Sequence, residues 1–174
     1  MANRQSLKEL QERLAQRLTA ARAEASTASW LAVESGGRQF LLPLVQAGEI
    51  FPWSTVQTVP YTKPWYVGVA NLRGGLNGVI DLAQLMGSGP SSAERVTSES
   101  RLVSMHPALG VNAVLWVDRL LGLRNASMFN TVGERPADAP AYVTRVLTDE
   151  QGKAWQELDL QRLAGEPEFL AIAA

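Results

Sequence analysis

The chain has 174 residues, of which 46% are hydrophobic, which is enough for one globular domain or two closely joined subdomains. Its formal net charge is −1, its pI is near 5.9 and its basic residues are dispersed, which argues against a protein that binds nucleic acid or an anionic membrane surface. The chain has no cysteine, which excludes disulfides, thiolate catalysis and cysteine metal sites and suits a reducing cytosol.

No apolar run approaches the ~20 residues needed to span a bilayer, and no secretion signal opens the sequence. We therefore expect a cytoplasmic protein without direct membrane insertion.

The first predicted element is an amphipathic helix from Ser6 to Ala25. The segment has no Gly or Pro, and its apolar residues recur at steps of three and four, namely Leu7, Leu10, Leu14, Leu18, Ala21 and Ala25. We expect this leucine face to pack on the body of the protein, with binding to a partner or a dimerising helix as the alternative. We divide the chain into an N-terminal amphipathic helix, residues 1–28, and a main domain, residues 29–174.

The main domain opens with a predicted hairpin, Trp30–Glu34 and Arg38–Leu42, because Gly36-Gly37 supplies the positive φ angles that tight hairpin turns require. Pro43 and Gly48 interrupt the next run and predict a bend, a bulge or a sheet edge. The following stretch, residues 51–65, combines prolines with three large aromatic residues, Trp53, Tyr61 and Trp65. We expect it to cover the end of a small barrel, with a docking surface as the alternative.

A second strand-turn-strand unit is predicted from the apolar runs Tyr66–Leu72 and Leu76–Ile80, which flank Arg73-Gly74-Gly75. If the strand is regular, Arg73 stands on the same face as Val67 and Val69, at the mouth of an apolar surface. A guanidinium in that setting needs a carboxylate partner, because an unpaired buried charge costs several kcal/mol, on the order of the penalty for breaking a buried pair.

The second half repeats the strand pattern after a polar loop, residues 87–100, that divides the strands into two sets. Asp81 is expected to cap a short helix, Leu82–Met86, and Asp159 another, Leu160–Ala164. Asp118 and Arg119 are expected at a solvent-exposed edge, and residues 125–141 in a loop. The final apolar residues 169–174 are expected to pack onto the core.

Five strands are predicted in this half: Arg101–His106, Val111–Val117, Leu120–Leu123, Tyr142–Leu147 and Lys153–Leu158.

The sequence offers little for catalysis. Its one histidine, His106, precedes a proline in a predicted turn and is expected on the surface rather than as a metal ligand or base. No nucleophile elbow, phosphate-binding loop or dinucleotide fingerprint is present. We therefore expect no catalytic residue, no cofactor and no metal.

The segment Gly68-Val69-Ala70-Asn71-Leu72-Arg73-Gly74, followed by Val79-Ile80-Asp81-Leu82, resembles the signature of the CheW family of bacterial chemosensory adaptors, G-x-x-N-L-R-G and then P-V-I-D-L. Other segments follow in the family's order: Glu49 in Ala47–Ile50, Trp116–Leu120, and Leu158–Leu163 with its D-L-x-x-L pattern. The resemblance spans about residues 30–163. Gly78 stands where the family has the proline before V-I-D-L.

The resemblance implies a mainly β fold, with two small SH3-like five-stranded β-barrel subdomains that share a core, an N-terminal amphipathic helix and other short helices. It implies a non-enzymatic adaptor that couples the cytoplasmic tip of a methyl-accepting chemoreceptor to the regulatory domain of a CheA-type histidine kinase. Such an adaptor is cytoplasmic and is recruited to membrane-associated chemosensory arrays. The N-terminal extension and the tryptophan content further resemble CheW-type proteins of the type IV pilus (twitching motility) system.

The partner-binding residues that the resemblance carries over, position by position, are Glu49, Gly68, Asn71, Arg73 and Gly74. The separation of Glu49 from Arg73 is similar to that of an acidic residue and the N-L-R-G arginine on the family's partner surface, so we pair these two side chains. The alternative function is a small β-barrel enzyme or ligand-binding domain with a polar pocket around Arg73 and Asp81.

Overall fold

The computed structural model describes residues 6–17, 29–87 and 95–173. Residues 6–17 form a helix, α1, and every residue in it is exposed. Leu7, Leu10 and Leu14 expose 50–58% of their surface, so the expected packing of this leucine face on the body of the protein is wrong for residues 6–17. Residues 18–25 of the predicted helix lie outside the described residues. None of the described helices is long and apolar enough to cross a membrane.

The rest of the described chain contains eleven strands and three further short α-helices, joined by turns and loops. The strands are β1 (Trp30–Ser35), β2 (Arg38–Pro43), β3 (Ala47–Pro52), β4 (Tyr66–Leu72), β5 (Gly75–Asp81), β6 (Arg101–Met105), β7 (Ala113–Val117), β8 (Arg119–Arg124), β9 (Phe129–Glu134), β10 (Val143–Asp149) and β11 (Ala154–Leu158). The helices are α2 (Leu82–Leu85), α3 (Leu160–Gly165) and α4 (Pro167–Leu170).

These strands form two sheets, a six-stranded one in the order β8-β1-β2-β11-β10-β9 and a five-stranded one in the order β3-β6-β7-β5-β4. Most neighbouring strands are antiparallel, but β11 pairs with β2, and β5 with β7, in parallel. The prediction of a mainly β fold with two β subdomains is confirmed, and one subdomain has a sixth strand beyond the expected five.

The two sheets share a core, as the resemblance implied. Strands near the middle of each sheet alternate between this shared core and the interior of their own sheet, so that both of their faces are buried. In β7, for example, Leu115 packs in the shared core, and Val114 and Trp116 pack in the interior of the five-stranded sheet. The interior of the six-stranded sheet is built around Trp30, Leu41, Leu147 and Trp155.

The two predicted features of the first strands are confirmed. Gly36 and Gly37 join β1 to β2 with φ angles of 59° and 77°. Strand β3 lies at the edge of the five-stranded sheet and carries a register irregularity between Ala47 and Ile50, which follows the interruptions at Pro43 and Gly48.

The segment between β3 and β4 mostly covers the protein, as expected. Trp53 packs on Trp116 with ring centroids 4.9 Å apart, and Trp65 stacks on Phe169 at 5.6 Å. Tyr61, by contrast, is 89% exposed. The prediction that residues 169–174 pack onto the core is confirmed only in part, because Phe169 is buried but Leu170 is 57% exposed and Ala171 and Ala173 are exposed as well.

Residues 125–141 are not simply a loop, so that prediction is wrong in part. Asn125 caps a short 3₁₀ turn, and β9 follows as an outer strand hydrogen-bonded to β10. Five of the six residues of β9 are exposed, so this strand lacks the apolar face on which strand prediction depends. The predicted loop character holds for the proline-rich part after Glu134.

Candidate functional site

The hairpin of β4 and β5 presents Arg73 at its tip. Leu72 pairs with Gly75, which leaves a two-residue turn in which Arg73 and Gly74 both have positive φ angles, 52° and 76°. Two left-handed residues in succession match the right-handed twist of the flanking strands. Glycine adopts this conformation at little cost, but a residue with a Cβ atom is disfavoured by roughly 1–2 kcal/mol. Arg73 thus has a backbone conformation that is strained for a residue with a Cβ atom.

Arg73 pairs with Glu49 through two parallel contacts. Its Nε lies 3.0 Å from Glu49 Oε2, and its Nη1 donates a hydrogen bond to Oε1 over 3.1 Å. Because β3 and β4 are the outer strands of the five-stranded sheet, this pair joins the two edges of the curled sheet. Backbone hydrogen bonds between Gln57 and Val69, each 2.8 Å long, continue the closure.

The pair lies in solvent rather than at an apolar surface. The side chains of Arg73 and Glu49 are 76% and 51% exposed, so the predicted pairing is found but the apolar setting predicted for Arg73 is wrong. Such an exposed pair contributes about 0–1 kcal/mol to stability. The bidentate contact instead fixes the direction of an accessible guanidinium and carboxylate, which suits recognition by another protein.

The other candidate residues fall into two groups. Asn71 and Gly74 are exposed on the same hairpin end as Arg73. Gly68 is buried, and its φ of 152° occurs where the 56–57 segment crosses β4. A Cβ atom there would overlap the Gln57 carbonyl oxygen and come within 2.9 Å of the Val56 side chain. Gly68 therefore allows the chain to close over β4 and does not itself offer a contact surface.

A buried ionic cluster, which the sequence did not reveal, joins the two sheets. Asp81, at 0% exposure, accepts hydrogen bonds from both terminal nitrogens of Arg95, each 3.0 Å away. Arg95 also donates to Asp118 Oδ1 over 3.1 and 3.3 Å, and its guanidinium lies 4.5 Å from the Trp116 ring. Asp118 Oδ2 in turn accepts from the Gly36 backbone in the β1–β2 turn, over 2.9 Å.

This cluster corrects the interpretation of Asp118 and extends that of Asp81. Asp118 is only 25% exposed and is engaged on both oxygens, so its expected place at a solvent-exposed edge is wrong. Arg119 is exposed as expected and pairs with Glu34. Asp81 caps α2 as predicted, by accepting hydrogen bonds from the backbone of Ala83 and Gln84.

The pKa of Arg95 is raised above its ordinary value. Burial by itself would lower this pKa, but hydrogen bonds and Coulomb attraction from Asp81, and then from Asp118, outweigh that effect.

The alternative of a polar pocket around Arg73 and Asp81 finds no support. Arg73 is engaged by Glu49 in solvent, and Asp81 is fully buried against Arg95. A cavity of about 470 Å³ lies elsewhere, against Trp155, and neither residue lines it. In the ranges 6–17, 29–87 and 95–173, no three His, Cys, Asp or Glu side chains are grouped so as to hold a metal ion. His106 is exposed, as expected, and its Nδ1 accepts from the Ala108 backbone over 3.0 Å.

The chain is similar to several known proteins. Residues 29–168 match the CheW-like domain. The chain is 32% identical over 165 residues to "Protein PilI" of Pseudomonas aeruginosa, which covers 92% of this chain and 89% of that protein. It is 31% identical over 61 residues to "Probable chemotaxis protein CheW" of Rhizobium etli, which covers 35% of this chain and 39% of that protein.

A solved structure shows the same fold. The crystal structure of the scaffolding protein TtCheW from Thermoanaerobacter tengcongensis superposes with a TM-score of 0.63 at 19% identity. The match covers 76% of this chain and 89% of that one.

Proposed function

We propose that this chain, which belongs to the CheW-like domain family, is a non-enzymatic adaptor that couples a methyl-accepting chemoreceptor to a CheA-type histidine kinase. Its output is the relative placement of two partners and the coupling between their binding, not turnover of a substrate. Binding to the kinase regulatory domain and to the cytoplasmic tip of the receptor would recruit the adaptor from the cytoplasm to membrane-associated arrays.

The observation that carries the proposal is the Arg73–Glu49 pair, an accessible bidentate ion pair on the N-L-R-G hairpin. Arg73 holds a strained left-handed conformation but contributes little to stability through an exposed pair. Strained residues persist where they serve function, and an exposed, oriented guanidinium is suited to a protein interface. We therefore assign partner binding to Glu49, Asn71, Arg73 and Gly74, with Gly68 supporting the closure beneath them.

Within the family, we assign the chain to the pilus-type (twitching motility) branch. The alignment with the P. aeruginosa relative covers 92% of the chain, which is about 160 residues. The main domain, residues 29–174, supplies only 146 of these, so about 14 or more of the first 28 residues take part in the alignment. The CheW-like domain match itself begins at residue 29. A shared N-terminal extension is what supports this assignment.

The experiment is a titration of the purified protein with the C-terminal regulatory domain of a cognate CheA-type kinase. We expect saturable binding by the wild type and binding about tenfold weaker for Arg73→Ala, the effect of losing ~1.4 kcal/mol at an interface. Thermal unfolding of the variant should stay close to that of the wild type, because the pair is exposed.

Arg119→Ala is the matched control, since it removes an arginine from the exposed pair with Glu34 in the six-stranded sheet. Its affinity for the kinase domain should equal that of the wild type. Absence of binding by the folded wild type would contradict the adaptor function, and equal losses in the two variants would contradict the location of the site.

A further inference from the structure

The leucine face of α1 is bordered by positive charge. At about 100° per residue, Leu7, Leu10 and Leu14 form one stripe, Arg13 and Arg17 lie along one side of it, and the acidic residues Glu9 and Glu12 lie toward the opposite face. The three leucines are 50–58% exposed, and neither arginine has an ion pair within the described part of the chain. Such a helix presents an apolar stripe and a basic margin to whatever it binds.

A groove on the main domain has the complementary character. It has a volume of about 350 Å³ and is formed by short helices and loops, with walls formed by Trp65, Leu85, Tyr142, Leu163 and Phe169. Glu166 and Glu168 line its rim, and no ion pair among residues 6–17, 29–87 and 95–173 engages their carboxylates. The Lys63 ammonium lies nearby and donates a hydrogen bond to the Glu168 backbone oxygen over 3.1 Å. The pKa of Tyr142 is raised to about 12, first by burial and then by the negative charges of Glu166 and Glu168.

A short series of hydrogen bonds links the start of the main domain to α3, which contributes to this groove. Ser29 accepts a hydrogen bond from the Leu44 backbone over 2.9 Å. Two residues further on, the Gln46 side chain contacts Asp159 at 3.1 Å and the Leu160 backbone at 2.7 Å, where α3 begins. Leu163 of the groove lies one helical turn beyond Leu160. These contacts connect the start of the main domain to α3, the helix that carries Leu163, while every residue of α1 is exposed.

We propose that α1 is a dimerisation helix, whose leucine stripe docks in the Trp65–Leu163–Phe169 groove of a second copy of this chain, with Arg13 and Arg17 facing that copy's Glu166 and Glu168. In two copies related by a twofold axis this exchange is reciprocal, and each copy supplies one helix and one groove. The exchange buries the leucines that a single copy leaves in solvent.

The chain contains no cysteine, so introduced thiols report this contact without background. Gln11 borders the stripe on the side away from the arginines, and Gln16 lies on the opposite face of the same helix. A tagged Gln11→Cys chain is mixed with an untagged Ala141→Cys chain, whose thiol lies on the exposed margin of the groove, and the disulfide-linked heterodimer is followed on non-reducing gels. The matched control replaces Gln11→Cys with Gln16→Cys.

We expect the heterodimer to form at least about tenfold faster with Gln11→Cys than with Gln16→Cys, because only docking raises the local concentration of one thiol about the other. Glu166→Lys with Glu168→Lys should remove the difference, and adding Arg13→Glu with Arg17→Glu on the helix chain should restore it. Both glutamates lie outside the buried core, so the variants keep the fold.

Three results would overturn the proposal. The first is an equal rate for the two helix positions. The second is a rate that charge reversal leaves unchanged. The third is a disulfide that forms only within one chain when Gln11→Cys and Ala141→Cys are combined, which would place α1 on its own domain.

Discussion

Among the arginines that form ion pairs in the described part of the chain, Arg73, Arg95 and Arg119 lie in different surroundings, and those surroundings decide what each pair does. Arg73 and Arg119 have side chains that are 76% and 48% exposed, whereas Arg95 is 18% exposed and faces a carboxylate that is fully buried. In solvent an ion pair contributes little, because water screens the charges and the long side chains lose freedom. In the interior, removal of one partner leaves a charge that neither water nor protein compensates.

Arg95→Met is expected to destabilise the fold by about 3–5 kcal/mol, because the anionic Asp81 would stay buried without its partner. Methionine retains much of the apolar stem that packs near Trp116, so the loss reports mainly the charge. Urea unfolding followed by far-UV circular dichroism measures the effect.

The matched control is Arg119→Met, which breaks the exposed pair with Glu34 and should change the stability much less than Arg95→Met does. Similar values for the two variants would contradict the distinction between them. They would mean that Asp81 finds other compensation inside the protein.

Ionisation of Tyr142 is expected to make the stability of the fold depend on pH in the alkaline range. Its phenol has a pKa raised from 10.0 to about 12, mainly by burial, so the native state holds this proton more tightly than the unfolded chain does. The corresponding stability is complete below about pH 10 and is lost as the pH rises toward 12. We expect Tyr142→Phe to lose less stability than the wild type between these pH values.

The measurement is chemical unfolding of both proteins at a series of alkaline pH values. Tyr61→Phe, at a tyrosine that is 89% exposed, is the control and should follow the wild type. Parallel curves for wild type and Tyr142→Phe would contradict the assigned burial effect.

At the scale of elements, one glycine controls how β4 meets the segment before it. Gly68 has a φ of 152°, and a Cβ atom there would overlap the Gln57 carbonyl oxygen. We expect Gly68→Ala to cost about 2–4 kcal/mol, because backbone would have to move and the backbone hydrogen bonds between Gln57 and Val69 would weaken. Thermal unfolding measures the loss.

Gly74→Ala provides the comparison within the same hairpin. Gly74 also has a positive φ, 76°, but no atom lies within 4 Å of a Cβ atom built there. Its substitution should cost only the conformational strain, about 1–2 kcal/mol. If Gly74→Ala were the more harmful change, the close approach at Gly68 would not be the deciding factor.

Elements whose apolar pattern matches their burial could be predicted from the sequence. The β1–β2 and β4–β5 hairpins combine buried apolar runs with glycines in the turn, so pattern and turn chemistry agree. Strand β9 could not be found this way, because it is held by backbone hydrogen bonds to β10 while five of its six residues face solvent. Its only strand signal was the short run from Phe129 to Val132.

The candidate site likewise has one part that could be predicted from the sequence, and the buried cluster that could not. Arg73 and Glu49 could be paired because both lie next to recognisable turns and strands of a known family. Arg95 lies in a polar stretch whose composition predicts a loop. Its partners, Asp81 and Asp118, are 14 and 23 positions away along the chain. Only the fold brings the ends of β5 and β7 to this arginine, so local pattern carries no sign of the cluster.

At the scale of the whole molecule, the two sheets depend on one another through the shared core. This core takes Phe40 and Leu42 from the six-stranded sheet, Leu115 and Val117 from the five-stranded sheet, and Leu163 from α3. The Arg95 cluster adds a polar link between the sheets through the Gly36 backbone. Neither sheet could unfold without exposing apolar surface of the other.

We therefore expect Leu115→Ala to destabilise both sheets together, by about 2–5 kcal/mol, and to leave a single unfolding transition. Native-state hydrogen exchange should show equal loss of protection for slowly exchanging amides in β1 and in β7. Loss of protection confined to the five-stranded sheet would contradict the shared dependence.

The strand order also has a consequence for biosynthesis. The five-stranded sheet uses one continuous stretch, Ala47–Val117, whereas β2 needs β11, which ends at Leu158. During translation the β1–β2 hairpin thus leaves the ribosome early and keeps one edge open while more than a hundred further residues are added. Until then the apolar residues Phe40 and Leu42 lack some of the core residues that bury them in the folded protein. The nascent chain passes through a stage with one nearly complete sheet and one exposed hairpin, the form on which chaperones would act.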